Sequence, residues 1–354
     1  MPLRCLNPDG SSIHAFDFDD DEWLELGEFN RQHRHLRLPC CDALVSLKRS
    51  RLGTKFFAHK AVGDCITAPE TENHLTLKKM AIEAARAAGW TASAEVAGAT
   101  PDGEPWIADI LAEKNGSKVA IEIQWSGQTP EETMRRQERY RASGVRGLWL
   151  LRQPGFPITK DLPAVCIGGD LSDGFIALLP RSRHMRASHR SLPEVWAQAF
   201  PMDGFLQAAF ERRFQYGLKP DHAADLSIWT GNMDCWSCGC ETKIIRQVQL
   251  SVLGQQFGLG IAEVERYGVL DSLVPHLSSI PGIGIIKRRY SRTMESNYAS
   301  NGCAHCDALI GQHFEHQAER DNVPVMTLQV PVSVGWKAAM DDYGWDETWW
   351  VSPI

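Results

Sequence analysis

The stretch of sequence that decides the fold runs from Trp106 to Ser126 and reads WIADILAEKNGSKVAIEIQWS. Its centre, Asn115-Gly116, is the strongest short-range signal for a two-residue hairpin turn, so the flanking residues are predicted to form two antiparallel strands. Pairing across this turn places Asp109 opposite Glu122. Directly opposed side chains have β-carbons about 5 Å apart, and two negative charges at that distance are destabilising unless a cation lies nearby. The hairpin therefore predicts a cation site.

The two faces of the predicted hairpin differ in chemistry. One face is apolar and suited to packing, and it holds Ala108, Ile110, Val119, Ile121 and Ile123. The other face holds Asp109, Glu122 and Gln124. Phosphodiester hydrolysis needs a divalent cation that polarises the phosphate and generates hydroxide from bound water, and two adjacent carboxylates are the minimum protein contribution. The spacing favours a nuclease site, although the pattern alone also fits two surface carboxylates on a polar sheet face.

A helix is predicted on each side of this hairpin. The first begins with Thr67 as N-cap and ends at Gly89, and its Glu70, His74 and Lys78 are spaced four apart on one face.

The second helix is predicted over 129–144, where the same pattern of cap and early proline recurs. Its arginines between 135 and 141 could form a solvated face or contact phosphate, and Arg136 lies one turn from Tyr140. An apolar run over 147–151 predicts a buried strand. The order of helix, hairpin, helix and strand predicts an α/β core.

Length and composition indicate a globular chain. Its 354 residues suffice for two or three domains, and 43% hydrophobic residues supply buried cores. No apolar run approaches the ~18 residues that a membrane span needs, and the first ten residues contain no signal-peptide core. We therefore expect a soluble, cytoplasmic protein that does not enter a membrane. The formal net charge of −7 argues at first sight against a nucleic-acid partner.

The negative charge, however, is concentrated at the start of the chain. Residues 1–30 hold one arginine against eight acidic residues, whereas residues 31–60 hold eight Lys or Arg against one aspartate. Two hypotheses remain open for this acidic head. It is either a solvated extension, which is typical of charge runs, or a segment that covers the basic block and competes with DNA.

Several motifs together resemble a known family. They are Phe56-Phe57-Ala58-His59, Glu70-Thr71-Glu72-Asn73-His74 with Lys78, the two hairpin strands, and Arg136 with Tyr140 and Trp149. Over about residues 37–152 this set resembles the competence protein CoiA-like nuclease family. The resemblance implies a PD-(D/E)xK restriction-endonuclease-like core, which is a mixed sheet flanked by helices, with Asp109, Glu122 and Gln124 in the active site. It also implies that an acid of the first helix, Glu70 or Glu72, assists.

The sequence departs from the family pattern in three places. The first histidine of the family's H-F-A-H element is replaced by Phe56. The PD-(D/E)xK pattern usually ends in lysine, whereas Gln124 can hydrogen-bond a water but can neither supply positive charge nor take a proton. The family often carries a C-P-x-C zinc knuckle upstream. Here that place reads Leu38-Pro39-Cys40-Cys41, so a first cysteine is missing, which argues against a zinc site there.

Half of the ten cysteines lie in the last third of the chain. Cys235 and Cys238 form one C-x-x-C pair, and Cys303 and Cys306 form another. Two such pairs are the ligand set of a structural four-cysteine zinc ribbon, because each offers two thiolates to one tetrahedral ion. Free buried thiols are the alternative. The long gap between the pairs predicts a helical insertion over 247–267.

The sequence thus predicts five segments. They are an acidic head over 1–30, a small β element over 31–66, a nuclease-like core over 67–180, a basic linker and helix over 181–220 with the helix near 194–214, and a zinc-ribbon-containing C-terminal domain over 221–354.

We predict a metal-dependent deoxyribonuclease that uses Mg²⁺ or Mn²⁺. In this scheme Asp109 and Glu122 bind the metal, Gln124 positions water, and Glu70 and His74 complete the catalytic set. The predicted contacts to DNA are made by Lys78, Arg136 and Tyr140. The alternative is a catalytically weak or inactive nuclease-fold module that binds nucleic acid through the zinc ribbon and the basic segments. A protein-binding component of DNA uptake or defence is a third possibility.

Overall fold

The structure is a computed structural model that describes residues 2–60, 70–182, 195–219 and 222–352. The chain divides into two compact units, Met1–Gly217 with Glu347–Ile354, and Leu218–Asp346. None of the helices within the described ranges is long and apolar enough to cross a membrane.

The first unit opens with an N-terminal element that has its own small core. In chain order it comprises β1 (Arg4–Leu6), β2 (Ser12–His14), a 3-10 turn (Ala15–Asp17), α1 (Asp20–His33), β3 (Val45–Arg49) and β4 (Lys55–His59). Trp23 of α1 is 3% exposed and packs against Phe57 of β4, with ring centroids 5.2 Å apart. Asp20 forms ion pairs with Arg49 at 3.0 Å and Lys55 at 2.7 Å.

The acidic head is therefore folded, and the hypothesis of a solvated extension is wrong. Its acidic residues cap a helix: the Asp19 side chain accepts hydrogen bonds from the backbone N–H groups of Asp21 and Glu22. The helix buries an indole, and the predicted segment boundary at residue 30 falls inside α1. Through Asp20 the head contacts the basic block, as the second hypothesis expects, while competition with DNA stays a prediction.

A mixed seven-stranded sheet forms the centre of the first unit. Its strands are β5 (Thr91–Ala99), β6 (Pro105–Lys114), β7 (Ser117–Gln124), β8 (Val145–Leu151), β9 (Ala164–Asp170), β10 (Gly174–Pro180) and β11 (Trp196–Pro201). They lie in the order β11-β10-β9-β8-β7-β6-β5, in which β7, β8 and β9 run parallel and the other pairs are antiparallel.

Helices cover both faces of this sheet. They are α2 (Glu72–Ala87), α3 (Pro130–Ala142) and α4 (Met202–Phe210), and a short strand, β12 (Phe214–Tyr216), follows α4. Leu75 of α2 and Phe205 of α4 pack on one face with Ile121, whereas Tyr140 of α3 packs on the other face with Trp149. The predicted α/β architecture, a mixed sheet flanked by helices, is confirmed.

The register of the decisive hairpin is also confirmed. The β6–β7 ladder runs from Lys114↔Ser117 to Ile110↔Ile121, as the Asn115-Gly116 turn predicts, and both turn residues have positive φ.

The start of the first helix differs from the prediction. Thr71 is the N-cap of α2 and its hydroxyl accepts from the His74 N–H, so the helix begins at Glu72. Thr67, the predicted cap, lies outside the described residues. Glu70 consequently precedes the helix rather than lying within it.

The second unit is built mainly of β-strands. Its elements are β13 (Ala223–Asp234), β14 (Glu241–Val252), β15 (Gln255–Leu259), α5 (Ile261–Arg266), α6 (Leu270–Leu277), β16 (Lys287–Ser291), β17 (Ser296–Gly302), β18 (Leu309–Ile310), a 3-10 helix (Gln312–Gln317), β19 (Glu319–Arg320), β20 (Met326–Pro331) and α7 (Val334–Asp342). A sheet in the order β15-β14-β13-β19, with β20 also paired to β13, packs its apolar side against Trp336 and Met340 of α7. A smaller sheet contains β16, β17 and β18.

One predicted helix is largely strand, and another is helical over less than half of its predicted length. The segment 247–267 contains the β14–β15 hairpin, whose turn residues Leu253 and Gly254 both have positive φ, and only α5 is helical. Residue 196 onward forms β11, which pairs with β10, and the helix starts after Pro201, because proline lacks the N–H that a helix interior requires. Most of the predicted basic stretch from Arg181 to Arg190 lies outside the described residues, which stop at residue 182 and resume at 195.

The end of the chain belongs to the first unit. The last strand, β21 (Trp349–Val351), pairs with β12. The division at residue 218 lies close to the predicted boundary at 221, but the segment 347–352 does not join the domain that was predicted to extend to 354.

Candidate functional site

A cleft of about 360 Å³ opens where β7 ends. Six ionisable side chains line it together with the turn from Ile123 to Ser126, namely Glu70, His74, Lys78, Glu95, Asp109 and, from α3, Arg136. These groups come from the segment before α2, from α2 itself, from β5 and β6, and from the end of β7. The fold therefore assembles the cleft from elements that are adjacent in space.

Lys78 lies at the bottom of this cleft and is only 1% exposed. Its ammonium nitrogen is 2.5 Å from Glu70 Oε1, 3.2 Å from Glu95 Oε1 and 3.3 Å from Asp109 Oδ1. Burial alone would lower the pKa of Lys78, but the three carboxylates outweigh it and raise the pKa above its ordinary value. Lys78, predicted to bind nucleic acid, is thus surrounded by carboxylates and shielded from solvent.

Asp109 is held by contacts on all sides. Its Oδ2 accepts a hydrogen bond from the Ile123 N–H at 2.9 Å and lies 3.4 Å from His74 Nε2. Burial would raise the pKa of Asp109, but Lys78, His74 and the Ile123 N–H hold it well below its usual range. Asp109 is therefore ionised at neutral pH.

Three possible metal ligands meet in the cleft. Glu70, His74 and Asp109 each offer an atom within 4.8 Å of the others. Glu95 contributes a buried Oε2 that accepts no hydrogen bond from a described residue. This oxygen is a site at which a cation would satisfy an otherwise unpartnered acceptor.

Glu122 points away from this group, toward α3. Its two carboxylate oxygens accept hydrogen bonds from Arg136 and from the Tyr140 hydroxyl, and the residue is 1% exposed. Burial and the charge of Asp109 raise the pKa of Glu122 to about 8, against the opposing effects of Arg136 and Tyr140. Arg136 also stacks on Trp149, with its guanidinium 5.4 Å from the ring centroid.

The structure differs from the predicted two faces of the hairpin at Ala108 and Asp109. Ile110, Ile121 and Ile123 pack under α2 and α4 as expected, but Ala108 packs on the α3 side, and Asp109 turns toward α2. Opposite Asp109 in β5 lies Glu95, which has φ +50° and forms no ladder pair with it, although Ala94↔Ile110 and Val96↔Ala108 keep one register. Asp109 and Glu122 are held by different helices.

Gln124 ends β7 at the rim of the cleft. Its side-chain amide donates to the backbone oxygen of Ser126 at 3.0 Å and to the Ser126 hydroxyl at 3.1 Å. Its amide nitrogen is thus engaged in the turn rather than with Asp109.

The charge of the site favours a divalent cation. Three carboxylates, those of Glu70, Glu95 and Asp109, surround one buried basic side chain, Lys78. When all three are ionised, two negative charges remain uncompensated among these four groups. Oxygen ligands with an excess of negative charge suit Mg²⁺ or Mn²⁺, and the imidazole favours Mn²⁺.

The second unit carries the four-cysteine cluster. Cys235 Sγ lies 3.6 Å from Cys306 Sγ, and Cys238 Sγ lies 3.7 Å from Cys303 Sγ. In each pair the first thiol accepts a backbone N–H two residues on, at 3.4 Å. The residue after each pair, at 239 and 307, has positive φ. This repeated loop geometry creates a cluster that could bind a structural metal.

A third group lies in the N-terminal element. Cys40, Cys41 and His59 offer ligand atoms within 4.8 Å of one another. The missing first cysteine argued against a site here, yet His59 at the end of β4 approaches Cys41 Sγ to 3.3 Å.

The chain was compared with known proteins. Residues 70–159 match the family described as competence protein CoiA, nuclease-like domain. The segment is therefore similar to a CoiA-like nuclease domain. The resemblance predicted from the sequence is confirmed for this segment, which starts later than the expected residue 37 and contains every predicted catalytic residue. No curated protein matches the chain.

Sequence reasoning missed Glu95. Neither its spacing nor its neighbours mark it as a site residue, because it enters the cleft only through a left-handed backbone conformation that a glutamate rarely adopts.

Proposed function

We propose that the protein is a divalent-cation-dependent nuclease that hydrolyses phosphodiester bonds in DNA, with the acidic cleft as its active site. The observation that carries this proposal is the convergence of Glu70, His74 and Asp109 at the end of the strand that bears Glu122 and Gln124, inside the CoiA-like nuclease domain.

The topology around the cleft supports a PD-(D/E)xK core. A helix precedes a β5–β6–β7 meander, and α3 then connects β7 to the parallel strand β8. The carboxylates lie at the end of this hairpin and the helices flank the sheet, as the family resemblance implies.

Glu70, His74 and Asp109 would hold the cation, and Glu95 would add a carboxylate close by. A bound divalent cation polarises a phosphate oxygen and lowers the pKa of a bound water. Lys78 keeps Asp109 ionised and holds Asp109 and Glu70 in position through its contacts at 3.3 and 2.5 Å. In this proposal Lys78 supplies from α2 the positive charge that Gln124 lacks at the end of the motif.

Arg136 and Tyr140 orient Glu122 rather than leaving it exposed. Arg136 also lines the cleft, where it can contact a phosphate. Glu122 would serve either as a further carboxylate near the cation or as the group that positions Arg136, and its removal should impair cleavage in both cases. The amide oxygen of Gln124 can accept a hydrogen bond from water, and in this proposal Gln124 would orient that water.

The test is a nuclease assay on single- and double-stranded DNA with Mg²⁺ or Mn²⁺. The intact protein should cleave, and Asp109→Ala and Glu122→Ala should each reduce the rate at least about a hundredfold, which is the scale of losing a metal-site group or a positioned charge. Asp102→Ala, in the exposed β5–β6 turn, is the matched control and should cleave normally. Cleavage by both the Asp109→Ala and the Glu122→Ala variant at the wild-type rate would refute the proposal.

A second candidate is a nuclease-fold module that binds nucleic acid without turnover. Two observations favour it: the amide of Gln124 is engaged with Ser126, and Glu122 is held outside the group of Glu70, His74 and Asp109. Absence of cleavage by the intact protein, together with unchanged DNA affinity of the double variant at Asp109 and Glu122, would select this candidate.

We also propose that the four-cysteine cluster binds structural Zn²⁺. Four convergent thiol groups in two loops of matching geometry are the usual ligand set for tetrahedral zinc. Such a site stabilises the second unit, since β13, β14, β17 and β18 all end near the two loops.

A further inference from the structure

A second cavity, of about 440 Å³, lies in the first unit at the opposite end of the parallel strands. Val119 at the start of β7 lines this cavity, whereas Gln124 at the end of β7 lines the acidic cleft. Five residues of strand separate the two, or about 17 Å at the usual rise per residue. The cavity is therefore distinct from the cleft, and we call it the aromatic cavity.

Aromatic rings form its walls. Phe214 and Trp349 stack on each other with centroids 4.7 Å apart and planes at 29°. Trp90 and Phe210 form the other pair, at 5.7 Å. Trp90 is 8% exposed, and its buried Nε1–H donates to no described residue. The half-buried pair Phe214 and Trp349 offers ring surface for stacking, and buried Trp90 adds one hydrogen-bond donor without an acceptor among the described residues.

Basic side chains lie around the opening. Arg146, Lys160 and Arg212 are exposed lining residues, and no carboxylate of a described residue lies within 4.0 Å of their charged groups. Arg141, the fourth base, is paired with Glu138 at 2.9 Å. Asp161 is the acidic residue among those that line the cavity. The opening therefore carries excess positive charge directly beside the aromatic walls.

We propose that the aromatic cavity binds a nucleobase together with its phosphate. Stacking on aromatic rings combined with cations that meet a phosphate is the chemistry by which proteins bind unpaired nucleotides. The volume lies within the range of small-ligand sites. The ligand is either a free nucleotide or an unpaired base of single-stranded nucleic acid, and the two share this chemistry. The proposal does not require that the acidic cleft be active.

The experiment is calorimetric titration of the full chain in EDTA with deoxyadenosine monophosphate, with the oligonucleotide dT10 and with inorganic phosphate. The test variant is Arg146→Glu with Lys160→Glu, since both side chains are exposed and their reversal should leave the fold intact. Lys79→Glu with Arg266→Glu, at side chains that are 48% and 69% exposed and lie outside the basic block over 31–60, makes the same change in net charge and is the matched control.

We expect the test variant to bind deoxyadenosine monophosphate at least about tenfold more weakly than the control does. If the natural ligand is single-stranded DNA, the test variant should instead bind dT10 more weakly than the control does. The slope of log K against log salt concentration for dT10 should then be smaller in magnitude by about 1.4, because two phosphate contacts are lost. Inorganic phosphate that binds as tightly as the nucleotide would overturn the proposal, because the rings would then contribute nothing. Equal affinities of the test and control variants for both nucleic-acid ligands would also overturn it.

Two variants distinguish failure of this proposal from failure of the nuclease proposal. Asp109→Ala should bind the nucleotide as the wild type does, whereas the variant at Arg146 and Lys160 should still cleave short duplex DNA if the cleft is a nuclease.

Discussion

Lys78→Met removes the buried ammonium that holds the acidic cleft together. At an effective dielectric constant of about 20, a charge pair separated by 3.3 Å attracts by about 5 kcal/mol, and Lys78 makes three such contacts. Desolvation of the ammonium offsets much of this attraction, and the carboxylates are about one-fifth exposed. Loss of one partner from a buried ion cluster then costs about 3–5 kcal/mol, because the remaining charges are left uncompensated.

The assay is differential scanning calorimetry at pH 8 without added divalent cation. For a unit of this size the cost corresponds to a fall in Tm of roughly 6–20 °C in the transition of the first unit. Lys79→Met is the matched control, since Lys79 is exposed and its surface pair with Glu83 contributes less than about 1 kcal/mol.

The loss of stability caused by Lys78→Met should depend on pH and on the presence of a divalent cation. Lys78 lowers the pKa of Asp109, so the stability that this carboxylate contributes is present above its ordinary pKa and disappears as pH falls through the folded-state value. In the variant, repulsion among the carboxylates is relieved by protonation, and the deficit should be smaller at pH 5 than at pH 8. Added Mn²⁺ should restore part of it. A deficit equal to that of Lys79→Met at both pH values would refute the reasoning.

Three further predictions concern other parts of the chain. Cys235→Ser should abolish bound zinc, measured by elemental analysis, whereas Cys240→Ser, outside the cluster, should retain it. Trp23→Ala should cost about 3–5 kcal/mol in urea denaturation because the indole is buried, whereas Leu24→Ala, at a side chain that is 65% exposed, should cost less than about 0.5 kcal/mol. Because the pKa of Glu122 is raised to about 8, folding favours its protonated form, so the wild type should lose stability relative to Glu122→Gln as pH rises from 5 to 8. Parallel pH profiles would contradict the last prediction.

The parts of the fold that the sequence predicted well rest on strong local signals. Asn115-Gly116 fixes the hairpin register because few other dipeptides adopt two successive positive φ angles. The two C-x-x-C pairs correctly indicated the four-cysteine cluster, because each C-x-x-C loop brings both of its thiols to one side.

The misses arise where long-range pairing overrides local preference. The segment 247–267 forms a hairpin because β14 pairs with β13, and β11 becomes a strand because the sheet edge beside β10 is available. In the structure the site carboxylates are divided between α2 and α3, and Glu95 enters the cleft with a positive φ that the sequence did not predict. The sequence thus identified Glu70, Asp109 and Glu122, while Glu95 and this division emerge only from the packing of α2 and α3 against the sheet.

The most direct test of the central claim, that the acidic cleft binds a divalent cation, is an electron paramagnetic resonance titration of Mn²⁺. The wild type and the exposed control Asp102→Asn should each bind a single Mn²⁺ that Mg²⁺ displaces. Asp109→Asn should lose this site, because the substitution removes the charge of a central ligand with little change in shape. Equal Mn²⁺ binding by all three proteins would contradict the account.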